Sequence, residues 1–82
     1  MASIKSTAAT VTIEAENGKV TIYRVEAKYI RAALLSKETI VGRKLALTHR
    51  ADNSVMIANH GGFVVLIGRE ILDIIDLLFV FC

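Results

Sequence analysis

The chain has 82 residues and a single cysteine, so it predicts one small domain, residues 1–82, without an internal disulfide. Ten Lys and Arg residues against eight Asp and Glu give a net charge of +2, which is far from a dense basic patch but permits nucleic-acid binding. Hydrophobic residues make up 54% of the chain, more than so small a domain buries by itself, which favours burial against another chain.

The first residues bear on both localisation and fold. Residues 1–9 are small and polar and predict a loose arm or an edge strand. They lack the apolar core of a signal peptide, and a lone thiol is typical of a reducing compartment. We therefore expect an intracellular, cytoplasmic protein.

A β-hairpin is predicted next. Thr10–Ala15 alternates apolar and polar residues, which is the period of a half-buried strand. Asn17-Gly18 accepts the positive φ angles of a type I′ turn, which would bring Glu16 opposite Lys19. Val20–Arg24 predicts the returning strand.

The middle of the chain predicts one helix and three more strands. Glu26–Leu35 is rich in good helix formers, and Ser36–Gly42 interrupts the pattern. Lys44–Arg50, Ser54–Asn59 and Phe63–Ile67 predict strands three to five. The fifth strand is apolar on both faces and is therefore expected to be central or to lie at an interface.

The last predicted helix begins near Arg69 and is apolar on almost every side. Arg69, Asp73 and Asp76 form one narrow polar stripe at helical spacing. Its apolar run, interrupted by the two aspartates, is too short to span a membrane. A helix this apolar is expected to be buried nearly all round, so we predict a homodimer or higher closed oligomer. The alternative is a monomer whose last helix packs between the sheet and the first helix. The predicted interface residues are Ile71, Leu72, Ile74, Ile75, Leu78 and Phe79.

Two segments resemble each other at a spacing of 44 residues. Residues 11–34 align without a gap on residues 55–78, and each segment predicts a strand, a glycine turn, a strand and a helix. The identical pairs are Val11/Val55, Ile13/Ile57, Gly18/Gly62, Val20/Val64, Glu26/Glu70, Ile30/Ile74 and Leu34/Leu78. This self-similarity predicts a tandem duplication of a ββα unit.

Residues suited to catalysis or metal binding are few. His49 and His60 could approach each other across a hairpin, but no metal-binding spacing accompanies them. No serine lies in a nucleophile elbow, and the glycines of the Gly61-Gly62 turn precede a strand instead of a helix. We therefore predict no enzyme activity, no metal and no cofactor.

The outward face of the predicted sheet is the best candidate for a binding surface. Lysines, an arginine, hydroxyls and a tyrosine on a flat sheet suit single-stranded nucleic acid, because bases stack on rings and phosphates meet cations. The predicted contacts are Lys19, Tyr23, Lys44 and Arg50. The order of elements is similar to that of Whirly-like domains, which dimerise through helices and bind single strands; no diagnostic motif of that family is present.

The predicted architecture is an α+β domain with a two-layer antiparallel sheet and two helices in the order ββα-βββα. Two functions remain open. One is a small non-enzymatic nucleic-acid-binding accessory protein that is homo-oligomeric through its C-terminal helix. The alternative is a viral or phage-type protein-interaction or inhibitor module that acts through Phe63–Ile67 or through the last helix.

Overall fold

The computed structural model describes residues 2–42, 44–59 and 62–81. It is an α+β fold with one antiparallel sheet and two helices. The predicted turn residues His60-Gly61 and the terminal Cys82 lie outside the described residues. The elements are β1 (Ser3–Ser6), β2 (Thr10–Ala15), β3 (Asn17–Tyr23), α1 (Arg24–Ser36), β4 (Ile40–Val41), β5 (Leu45–His49), β6 (Val55–Asn59), β7 (Gly62–Leu66), α2 (Arg69–Leu78) and a 3₁₀ turn (Phe79–Phe81).

The sheet has the strand order β1-β2-β3-β7-β6-β5-β4. Consecutive strands pair as hairpins on either side, and β3 and β7 join the two sides at the centre. At this seam Gly18 lies opposite Val64, and Lys19 lies opposite Phe63. The fifth strand of the sequence was predicted to be central or to lie at an interface; it is central, because β7 lies between β3 and β6.

Among the described residues, the buried core consists of aliphatic side chains, and Phe81 packs against it partly buried. Alternate residues of the strands point inward, and cross-strand pairs such as Val11 with Ile22 and Ile57 with Val64 place them on one face. The helices contribute Ala27, Ile30, Ala33, Leu34, Ile74, Ile75 and Leu78 to the same cluster. Each fully buried Val, Leu or Ile contributes roughly 1.5–3 kcal/mol. The period-two and helical patterns of the sequence thus place this face correctly.

The first hairpin differs from the prediction. Lys19 lies opposite Glu14, so the chain reverses at Glu16-Asn17. Asn17 does not have a positive φ, whereas Gly18 does, at 114°. The predicted type I′ turn with Glu16 opposite Lys19 is therefore wrong. Gly18 is instead required at the seam, because a Cβ at this position would collide with the carbonyl oxygen of Phe63.

Two short edge strands extend the predicted order ββα-βββα to βββα-ββββα. Within residues 1–9, β1 is an edge strand that pairs with β2. The other edge strand, β4, lies inside the predicted break at residues 36–42 and pairs with β5. It has only two residues, so periodicity could not reveal it.

The helices lie side by side and antiparallel. The Nε of Arg31 in α1 donates to the carbonyl oxygen of Ile75 in α2 at 2.9 Å. The Arg31 guanidinium lies 4.9 Å from the centre of the Phe79 ring, and that of Arg24 lies 5.0 Å from the centre of the Phe81 ring. These cation–π contacts hold the 3₁₀ turn against α1.

Burial of α2 is more one-sided than the sequence predicts. Ile74, Ile75 and Leu78 are buried in the core. Four apolar residues in this part of the chain remain exposed. Leu72 and Leu77 lie on α2, and Phe79 and Val80 lie in the 3₁₀ turn. One sheet and one neighbouring helix cover only part of the circumference of α2. In the described part of the chain, neither helix has the length and apolar character needed to cross a membrane.

Candidate nucleic-acid interface

The face of the sheet opposite the core is open. On β3 the outward residues Lys19, Thr21 and Tyr23 are exposed and alternate with the buried Val20 and Ile22. Neighbouring strands continue the pattern, because cross-strand partners point to the same side. The Oγ1 atoms of Thr12 and Thr21 lie 2.9 Å apart across the ladder. The face therefore offers hydroxyls, charged groups and apolar side chains on a continuous surface.

Both aromatic residues of the strands lie on this open face. Tyr23 ends β3 with 62% of its surface exposed, and Phe63 on the adjacent β7 is 56% exposed. Aromatic rings normally contribute a large share of core burial, yet the buried core cluster of the described residues includes neither of these two rings. The two rings are thus available to a ligand that lies along the sheet.

The cations predicted as contacts are spread along this surface. Lys19 lies at its centre, opposite Phe63 on one side and Glu14 on the other. Lys44 lies beside Tyr23 at one end. Arg50 lines a shallow depression at the other end together with Phe63. The structure thus brings Tyr23 and Lys44 together and separates Arg50 from them.

A further cation, Lys5, was not predicted. It lies on β1 opposite Thr12 and is exposed. Residues 1–9 were predicted as a loose arm or an edge strand without a register, so no face of the sheet was assigned to Lys5. Alternation of Ile4 with its polar neighbours is the signal that could have indicated it, because Ile4 packs against the core.

Tyr23 and Lys44 line a cleft of about 260 Å³. The cleft is completed by Thr10, Thr21, Ile22, Glu26 and Asn59. Glu26 Oε1 accepts a hydrogen bond from the Tyr23 backbone N–H at 2.8 Å, which caps the start of α1. Asn59 donates its side-chain amide to the carbonyl oxygen of Thr21. These contacts fix two of the walls, and the sequence did not predict this grouping.

The half of the open face formed by β6 and β7 is more apolar. Met56 lies opposite Val65, and Ala58 lies opposite Phe63. At the edge, Val41 is 89% exposed. A ligand on this face would therefore meet polar groups on β2 and β3 and apolar groups on β6 and β7.

The predicted oligomer residues divide into two groups. Ile74, Ile75 and Leu78 are buried in the chain's own core and are closed to a partner. Leu72 and Phe79 are each 62% exposed, and Ile71 is partly buried. Phe79 additionally contacts Arg31. Only the exposed group is available for contact with a second copy.

Neither His49 nor the nearby turn provides a metal site in the described residues, which contain no group of three His, Cys, Asp or Glu side chains. The Nε2 atom of His49 lies 3.3 Å from the carbonyl oxygen of Ala33. In the following turn, Asp52 Oδ1 accepts two hydrogen bonds from Ser54. The hydroxyl group donates at 2.6 Å, and the backbone N–H donates at 3.1 Å. These hydrogen bonds lower the pKa of Asp52 and partner the buried Ser54 hydroxyl.

Fold and surface together define a small α+β domain with an aliphatic core and an open sheet face that carries aromatic and cationic groups. Comparison of the chain with protein-family models, curated proteins and solved structures finds no match.

Proposed function

We propose that this protein is a small non-enzymatic accessory protein that binds single-stranded nucleic acid across the open face of its sheet. One observation carries the proposal: Tyr23 and Phe63 are exposed on the same face as Lys19, Lys44 and Arg50. Each base presents a flat face to a ring, and stacking is worth about 1–3 kcal/mol per base. A duplex hides the faces of its bases, so this surface favours single strands.

The proposal is tested by fluorescence anisotropy with labelled single- and double-stranded oligonucleotides at about 50 and 200 mM salt. We expect tighter, salt-sensitive binding of the single strand. Lys44→Glu combined with Arg50→Glu is expected to weaken this binding more than tenfold. It should also make the salt dependence shallower by about 1.4 in log–log slope, since each phosphate contact on a single strand contributes about 0.7.

A matched control separates this surface from net charge. Lys28→Glu combined with Arg69→Glu makes the same change in charge on the exposed sides of α1 and α2. We expect its affinity to stay close to wild type. If the two double variants bind equally well, or if wild-type protein does not bind at micromolar concentration, the sheet face is not a nucleic-acid interface.

The apolar half of the open face supports a second candidate, a protein-interaction module. Met56, Val65 and the exposed Phe63 form a contiguous apolar surface on β6 and β7. Such a surface suits a protein partner as well as a base. Absence of oligonucleotide binding in the anisotropy experiment would favour this second function.

We also propose that the protein is homo-oligomeric through the outer side of α2. Leu72 and Val80 are 62% and 74% exposed, and Phe79 adds a half-exposed ring. Apolar side chains left in water on α2 and on the 3₁₀ turn that follows it favour contact with a second copy across a two-fold axis.

Leu72→Asp combined with Val80→Asp is expected to reduce the oligomer to a 9.0 kDa monomer while the circular dichroism spectrum is retained. Light scattering after size exclusion measures the mass. Lys44→Glu with Arg50→Glu, on the open sheet face and outside α2, is the control and should keep the wild-type mass. A wild-type mass of one chain, or an unchanged mass in the double aspartate variant, contradicts the proposal.

We propose further that the domain has two layers and derives from a duplicated ββα unit. Three features support this origin. Lys19 and Phe63 are 44 residues apart and lie opposite each other at the seam. Gly18 and Gly62, also equivalent, each bring the backbone close to the opposing strand. The equivalent Glu26 and Glu70 accept the N–H of Tyr23 and Ile67 at 2.8 and 3.0 Å.

A further inference from the structure

The cleft at the end of β3 provides more than a stacking surface. Its volume of about 260 Å³ is below the roughly 300–1,000 Å³ of pockets for drug-sized ligands, so it suits one small planar group. Tyr23 gives it an aromatic wall, and Lys44 and Glu26 give it opposite charges. A nucleobase is a planar group that hydrogen-bonds along its edge.

The carboxylate of Glu26 determines which nucleobase edge fits the cleft. Oε1 accepts the Tyr23 N–H, which anchors the side chain. Among the described residues Oε2 has no hydrogen-bond partner, so it is a charged acceptor at the wall of the cleft. A carboxylate only accepts hydrogen bonds, so it favours a base edge with adjacent donors and disfavours one with acceptors.

Guanine meets this requirement. Its Watson–Crick edge presents two adjacent donors, N1–H and the N2 amino group, followed by the O6 acceptor. Adenine and cytosine present a ring acceptor beside their amino group, and thymine presents a single donor between two carbonyl oxygens. The Lys44 ammonium, a donor without acceptor capacity, complements O6 or a neighbouring phosphate. The carboxylate and the ammonium that line the cleft thus supply the acceptor and the donor that the Watson–Crick edge of guanine requires.

We propose that this cleft is a guanine-specific subsite, in which Tyr23 stacks on the base, Glu26 accepts from N1–H and N2, and Lys44 contacts O6 or phosphate. The inference rests on the proposed single-strand binding and makes it selective at one position of the strand. The remaining bases of the strand would lie across the sheet towards Phe63, where stacking discriminates little between bases.

The test compares oligothymidylates of equal length that carry one central guanine, inosine or adenine, using anisotropy at fixed salt. We expect guanine to raise the affinity about tenfold over the all-thymine strand. Inosine lacks the N2 amino group and should retain only part of the gain, whereas adenine should show none. Equal affinities for all four strands would contradict the guanine subsite while leaving single-strand binding intact. Absence of binding to every strand would instead overturn the proposed function.

Glu26→Gln provides the decisive variant because its amide oxygen can still accept the Tyr23 N–H. We expect the guanine-to-thymine affinity ratio to fall to about 1. Glu70→Gln is the matched control, since Glu70 makes the same capping contact with Ile67 at α2 but does not line the cleft. It should keep the wild-type ratio. A ratio unchanged in Glu26→Gln, or lost equally in both variants, contradicts the assignment of Glu26.

Free guanosine monophosphate separates a strand subsite from a mononucleotide pocket. We expect it to compete with the guanine-containing strand only at concentrations at least a hundredfold above those of the strand. Competition at equal concentration would contradict a subsite that depends on the strand, because the sheet would then contribute nothing to binding.

Discussion

An Ile74→Asp variant is expected to be unfolded at room temperature. Ile74 has no exposed surface and packs in the single aliphatic core. Removing a buried isoleucine side chain costs about 2–5 kcal/mol, and an unpaired buried carboxylate costs several more. A domain of 82 residues has only about 4–12 kcal/mol of stability to lose. Circular dichroism measures the outcome: we expect the variant to lose both the helical signal and cooperative thermal unfolding.

Two variants show that the effect comes from burial. Ile74→Val removes one methylene group from the same site and should cost about 1 kcal/mol, leaving a folded protein. Leu72→Asp introduces the same charge two residues earlier on the exposed side of α2 and should leave the free energy of unfolding of the monomer within about 0.5 kcal/mol. A folded Ile74→Asp protein would mean that α2 does not close the core.

Gly18→Ala is expected to lower the free energy of unfolding by about 4 kcal/mol. The φ of 114° at Gly18 is strained for any L-residue, which costs about 1–3 kcal/mol. The added Cβ would also collide with the Phe63 carbonyl oxygen, and relieving such a clash costs a further 1–3 kcal/mol or so. Because the opposing atom is backbone, the seam between β3 and β7 must open. Urea denaturation provides the measurement.

Gly68→Ala isolates the contribution of the collision. Gly68 also has a positive φ, at 57°, but no atom lies within 4 Å of the position of an added Cβ. The Gly68→Ala substitution should therefore lower the free energy of unfolding by the backbone strain alone, about 1–3 kcal/mol. Equal destabilisation of the two variants would show that the β3–β7 seam has room for a side chain.

The candidate binding surface was predictable in part. Alternation in β3 places Lys19 and Tyr23 outward. The same period, extended one residue beyond each end of β5, predicts that Lys44 and Arg50 point outward. These assignments need only local periodicity, because successive side chains of a strand point to opposite faces. Which of these residues are neighbours depends on strand order, and no local pattern encodes strand order.

The burial of α2 was likewise predictable from the sequence only in part. Its apolar composition was evident from the sequence, and so was the prediction that one small sheet cannot cover it. Which residues face the core follows from the antiparallel packing of α2 on α1, anchored where Arg31 reaches the Ile75 carbonyl oxygen. The predicted interface therefore included three residues that the core takes up, Ile74, Ile75 and Leu78.

The sequence by itself determined the type and approximate bounds of the longer elements and the buried face of the strands that alternate. It also indicated that the apolar strand, β7 in the structure, is central or at an interface, and β7 is central. These follow from hydrophobic periods of two and 3.6 residues, which act over a few neighbours. Only the tertiary structure decided the turn at Glu16-Asn17, the edge strand β4 and the cleft that joins Tyr23 and Glu26 to Lys44. The turn register and the two-residue strand are too short for a hydrophobic period to indicate, and the cleft depends on contacts between residues distant in sequence. The backbone of Gly18 adopts its conformation because β7 lies against it, and Lys44 reaches Tyr23 because the two hairpins meet at the seam between β3 and β7.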